Sequence, residues 1–190
     1  MKRATRDRRG EEGSVMRQLP EMPTPETEVD RRLLDDVEAQ GWHVMRVPPR
    51  GNTPGWAFSV GLHHRFDHPE IIVFGLPPEA LFNLVDRIAS RVASGDCFSP
   101  GSTSDRILEG YTCGIQPVMR RWYQAFLGYA IWFYGDEEFP VVQFRWPDRG
   151  NRRPEHPDFD GELASLQPFL EYERAEEAGV EALLHSLDIL

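Results

Sequence analysis

Residues 61–70, Gly-Leu-His-His-Arg-Phe-Asp-His-Pro-Glu, hold three imidazoles and two carboxylates within one short stretch. Neutral imidazole nitrogens and carboxylate oxygens are the donors that zinc and iron accept. His64 and His68 stand four residues apart, a spacing that on a helix turns both rings to one side. Gly61 and Pro69 bracket the segment, however, and "WAFSV" before it and "EIIVF" after it read as strands. The expected object is a hairpin bend, not a helical turn, with histidines that are solvated or hydrogen-bonded. His64 and His68 are the weak metal candidates, and no metal is predicted.

His68-Pro69-Glu70 has the His-x-Glu half of a zinc nucleobase deaminase, whose ligand set is completed by a proline-linked Cys-x-x-Cys. Cys97 and Cys113 lie sixteen positions apart, so that half is missing. Trp146-Pro147-Asp148 has the form of the acid-bearing loop of tyrosine phosphatases, which also need an arginine six residues after a nucleophilic cysteine. Thr103 and Met119 occupy those positions here. A strand end accounts for the tripeptide: Trp146 packs, Pro147 stops the ladder and Asp148 caps a turn. Ala57 stands where a G-x-S-x-G elbow around Ser59 needs glycine, and neither glycine-rich phosphate motif occurs. The acid–base candidates are thus His68, Glu70 and Asp148, without a complete catalytic set.

Arg106, Arg120, Arg121 and the loop Arg-Gly-Asn-Arg-Arg at 149–153 offer an anion site. Against 31 acidic residues, internal ion pairs are the expected use of these charges. Trp122, Ala125, Phe126, Ala130 and Phe133 recur at helical spacing, and aromatics in that pattern line flavin or haem sites in some proteins. The expected role is core against a sheet. No cofactor is predicted.

These groups need elements to hold them. Val29, Leu33, Leu34 and Val37 predict a helix over 27–40 that Gly41 ends. Strands are expected at 42–47, 56–62 and 70–76, joined by loops as an antiparallel meander. Pro77, Pro78 and Glu79 open the clearest helix, whose stripe Leu81, Leu84, Val85, Ile88 and Val92 is laid on that meander and which Gly95 stops. Residues 96–105 read as loop, 106–118 as strand interrupted at Gly110 and Gly114, 119–135 as a second helix and 139–146 as a last strand. Val180, Leu183, Leu184 and Leu187 share a face of a C-terminal helix. The order fits α+β: a mainly antiparallel sheet of about five strands with two or three helices packed on it. The expected organisation is a disordered arm over 1–26, one domain over 27–165 and a helical extension over 166–190.

Length and composition set further bounds. A chain of 190 residues buries ~70% of its unfolded surface without needing a disulfide or metal. Net charge is −10, but residues 1–18 carry six basic and three acidic side chains, +3, which leaves −13 on the rest. So acidic a body repels phosphate backbones, so no nucleic acid is expected on the folded domain. No apolar run reaches the ~18 residues of a membrane span, so no membrane association is expected. The start lacks the apolar stretch of a secretory signal, Met16 and Met22 being alternative first residues, and a cytoplasmic location is expected.

Four blocks give the chain a family resemblance: "GWHVMRV", "WAFSVGLHHRFDHPEIIVFGLP", the helix that ends in "ASG", and "VVQFRWPDRG". Together they resemble the bacterial family known as domain of unknown function 4262, over roughly residues 38–160. The resemblance implies one α+β domain in soluble bacterial proteins. Any site shared by the family falls on Gly61, Leu62, His68, Pro69, Glu70, Trp146, Pro147 and Asp148. The family pattern continues after Trp-Pro-Asp with a Gly-x-aromatic-Pro-Trp segment; here Arg153 precedes the proline and Glu155 follows it.

Three functions are expected in order. The first is a non-enzymatic binding or interaction domain with a protein or small-molecule partner. The second is an enzyme using His68 and Glu70 with Asp148 as acid–base or metal-binding groups. The third is a flavin or nucleotide binder.

Overall fold

The computed structural model describes residues 22–51 and 53–187. The arm expected over 1–26 therefore lies outside the described residues up to position 21. Helix α1, Glu28–Gln40, opens on a reciprocal cap: Thr27 Oγ1 accepts the Asp30 N–H at 3.1 Å, and Asp30 Oδ2 accepts the Thr27 N–H at 2.8 Å. Strand β1, His43–Val47, pairs antiparallel with β2, Trp56–Val60, which pairs antiparallel with β3, Glu70–Phe74. This is the expected meander.

The bend between β2 and β3 differs from expectation. Leu62–Phe66 forms a short helix, α2, so His63 and His64 ride on a helical turn after all. Five residues are too few to show a period in sequence, and the turn is held by a residue of β3 described below.

Helix α3, Pro78–Ala93, crosses β1, β2 and β3 on one face of the sheet. Strands β4, Thr103–Leu108, and β5, Tyr111–Pro117, form a hairpin with an irregular register, and β4 starts inside the segment expected to be loop. The helix expected over 119–135 is broken into a 3-10 turn at Arg120–Trp122, α4 at Tyr123–Phe126 and α5 at Gly128–Tyr134. The break has a tertiary cause. Trp56 Nε1–H donates to the Phe126 carbonyl at 3.0 Å, taking the acceptor that an uninterrupted helix would use. Strand β6, Val141–Arg145, follows, and then three short helices, α6 at Gly161–Ala164, α7 at Ala175–Ala178 and α8 at Glu181–Ser186.

The sheet order is β1-β2-β3-β6-β5-β4. It is an open, mostly antiparallel α+β sheet of six strands, not five, with eight α-helices among the described residues, not two or three. Only β3 and β6 run parallel, Glu70 facing Val141 and Ile72 facing Gln143. Side chains alternate across the sheet. Trp56, Phe58, Ile72, Phe74 and Val141 enter a core shared with α1, α4, α5 and the C-terminal segment. Ala57, Ile71, Val73, Val142 and Phe144 enter a second core under α3.

Candidate functional site

Glu70 opens β3 and is fully buried. Its Oε1 accepts the N–H groups of Gly61 and His63, both at 3.0 Å, and the Tyr134 hydroxyl at 2.5 Å; its Oε2 accepts the Ser59 hydroxyl. Both hydroxyls are oriented by backbone: Ile71 N–H donates to Ser59 Oγ at 2.9 Å and His64 N–H to Tyr134 Oη at 3.2 Å. The carboxylate thus stands in for a side-chain cap at the start of α2, whose own preceding residue is Gly61. Burial raises the Glu70 carboxyl above its usual range, against the downward pull of the four donors. Burial and the adjoining Glu70 also push the Tyr134 hydroxyl up.

His68 is buried and spends both nitrogens. Nδ1–H donates to the Pro69 carbonyl at 2.7 Å, and Phe98 N–H donates to Nε2 at 3.0 Å, which fixes the neutral Nδ1–H tautomer. Burial lowers its proton affinity. The ring meets Phe98 edge-on at 5.9 Å, whereas the His64 ring meets Phe133 at 5.5 Å. The two imidazoles do not converge. Among the described residues no three His, Cys, Asp or Glu side chains gather where an ion would sit. Cys113 is buried, and its thiol is pushed up to about 12, so it makes no thiolate nucleophile.

Asp148 lies beyond the other end of the sheet. Oδ1 accepts the N–H groups of Gly150 at 2.8 Å and Arg152 at 3.0 Å, while Oδ2 accepts Arg152 Nε–H at 2.8 Å. Burial would raise its carboxyl, but those backbone donors and the Arg152 guanidinium outweigh it and hold the group below the usual carboxylate range. The loop is tied further by Asp148 N–H to the Arg152 carbonyl at 2.8 Å and Thr112 N–H to Asn151 Oδ1 at 2.8 Å. Asp148 is a brace.

The structure does not bring the three acid–base candidates together. Glu70 faces Val141 at the first residues of the parallel pair, and the four steps from Val141 to Arg145 alone advance the chain about 13 Å. Asp148 lies three residues further on. Trp146 Nε1–H donates to the Phe74 carbonyl at 2.8 Å, locking the Trp-Pro-Asp loop against the carboxyl end of β3.

Outside the carboxyl ends of β3 and β6 lies a groove of about 530 Å³. One wall is a stripe of α3, Ala80, Asn83, Leu84 and Arg87; the other is the loop Trp146–Arg149, closed by Tyr111 and Leu163. This is where open sheets with parallel strands place their ligands. Trp146, Pro147 and Asp148 were legible as a motif, but Arg87 and Asn83 were not, because they read as the polar face of an ordinary surface helix. Arg149 belongs to the loop singled out for anions. Internal pairing claims Arg152 through Asp148, Arg153 through Glu155, Arg120 through Glu138 and Arg106 through Asp96. Arg149 has no carboxylate partner among the described residues.

Glu155, which replaces an expected aromatic, accepts from Arg145 Nη1 at 2.6 Å, and Arg145 also pairs with Glu171 and stacks 4.3 Å over Phe169. That segment pairs a buried arginine with two partly exposed carboxylates instead of building a groove wall. A second cleft, about 620 Å³, opens between α1, β1 and α4–α5 and is lined by Trp56, Phe126, Tyr129 and Trp132.

Fold and groove together define an α+β protein built on one open six-stranded sheet with a recess at its central parallel pair. The family described as Domain of unknown function (DUF4262) matches residues 36–160, and the chain belongs to it. No curated protein and no solved structure matches the chain.

Proposed function

We propose that this protein is a binding domain and not a catalyst, and that its ligand enters the groove between α3 and the Trp-Pro-Asp loop. The observation that carries this reading is the state of the candidate acids and bases. Every polar atom of Glu70 and His68 is consumed by internal hydrogen bonds, and Asp148 is spent on its own loop. An acid–base catalyst needs a group within reach of substrate. The groove, by contrast, is open, falls in the ~300–1,000 Å³ range of ligand sites and, Leu163 apart, is built by residues inside the family match. The aromatic cleft is less favoured, since its acids Glu26 and Asp30 precede that match and Asp30 is engaged in the α1 cap.

Native mass spectrometry and thermal shift against a small-molecule panel test the proposal. Wild type is expected to gain stability with at least one compound, and Asn83→Trp, which fills the groove from an exposed position, is expected to lose that gain. Turnover by stoichiometric protein that Glu70→Gln or Asp148→Asn abolished would overturn it.

A further inference from the structure

Resting on the groove reading above, we infer that the ligand is an apolar molecule ending in a single carboxylate, its head held by Arg87 and Arg149. The body of the groove is apolar: Leu76, Leu84, Leu108, Trp146 and Leu163 line it. Burial of hydrocarbon there supplies affinity without selecting a head group.

Charge does the selecting. In a protein of net charge −10, both charged side chains on the rim with unspent hydrogen-bonding capacity are cations. Arg87 gives one N–H to the Ile107 carbonyl at 3.1 Å, which anchors the guanidinium and leaves its remaining donors for a ligand. Arg149 has neither a hydrogen bond nor a carboxylate partner among the described residues. Its backbone nevertheless stands in the loop that Asp148 and Asn151 brace, so the side chain projects from a fixed base. The one carboxylate on the groove wall, Asp148, is compensated by Arg152 and two backbone N–H groups. The rim is therefore electropositive within an acidic molecule. A guanidinium matches a carboxylate with two parallel N–H···O bonds, and such bonds are about twice as strong as neutral ones.

Isothermal titration of the full chain with three probes of equal apolar length tests this: octanoate, 1-octanol and octyltrimethylammonium. Octanoate is expected to bind about tenfold more tightly than octanol, with the ammonium compound weakest. Arg149→Gln and Arg87→Gln, both exposed and outside the cores, are each expected to weaken octanoate more than octanol and so bring the two to within a fewfold of each other. Raising salt is expected to narrow the same gap. Equal affinity for octanoate and octanol in wild type, with no effect of either arginine, would overturn the carboxylate head yet leave the groove in place. Binding of octanoate that Asn83→Trp and Ala80→Trp both left intact, or no binding of any probe, would sink the head group and the groove together.

Discussion

Glu70 has no access to solvent, yet four donors converge on it, and its replacement by glutamine costs far less than its replacement by alanine. In Glu70→Gln the amide oxygen still accepts from Gly61, His63 and Tyr134, and the amide nitrogen donates to Ser59 Oγ, so the loss at neutral pH stays within about 1.5 kcal/mol. Glu70→Ala leaves every one of these neutral donors stranded, at about 1–3 kcal/mol for each that stays dry. A carboxyl raised in the folded state contributes fully below its unfolded value near 4.5 and loses that contribution as pH rises through the folded value. The glutamine variant lacks this loss. Urea midpoints are therefore expected to move in its favour between pH 4.5 and 8; a shift toward wild type would mean that the four donors dominate burial. His68 is the mirror case. Burial depresses its folded value below 6.5, so its contribution is complete above that pH and is lost as pH falls through the folded value. His68→Leu strands the Phe98 N–H and Pro69 carbonyl, about 1–3 kcal/mol at pH 7, and the gap to wild type is expected to shrink at pH 5.

Among the elements, the joint between α1 and α2 is tightly packed. Gly61 has φ +111°, and a Cβ there would stand 2.8 Å from the Gly41 carbonyl oxygen and 2.9 Å from a Val37 methyl. Neither a backbone oxygen nor a buried valine gives way cheaply. Gly61→Ala is expected to cost about 2 kcal/mol or more, read as a lowered Tm, and to expose the amides of α2 to hydrogen exchange. Helices α1 and α3 were legible because each carries both an end signal and an apolar stripe: Gly41 and the Val29-to-Val37 stripe for one, Pro78 and the Leu81-to-Val92 stripe for the other. Strands β1 to β3 announced themselves by β-branched and aromatic residues between turn formers. What failed to show was decided at a distance. Helix α2 exists because Glu70 caps it from the next strand, and α4 stops because Trp56 takes the Phe126 carbonyl. The candidate site was half legible for the same reason: Trp-Pro-Asp is contiguous, whereas Arg87 reaches the groove only through the packing of α3 on the sheet.

The folded molecule extends past the stretch that defines the family. Leu170, Ala178, Val180, Leu183 and Leu184 are buried in the core formed with α5 and β2, and Arg145 is fully buried between Glu155 and Glu171. Four of these are Leu or Val side chains worth about 1.5–3 kcal/mol each, together comparable to the ~5–15 kcal/mol that stabilises a typical protein. Deleting residues 167–190 is accordingly expected to give an insoluble product or one that binds hydrophobic dyes, although the family match ends at 160. A cooperative melt like that of the full chain would show that the segment merely rests on the surface. Among the described residues no helix is long and apolar enough to cross a membrane.

The ladder joining β3 to β6 divides the sheet into two local halves, β1-β2-β3 and β4-β5-β6, each paired internally by neighbours in sequence. Only the seam between them requires residues some seventy positions apart to meet, and closing so long a loop is the slow part of assembly. Two chains refolding side by side at high concentration can therefore trade halves, each seam sealed by the other's strand, and yield an interlocked dimer with the same internal contacts as the monomer.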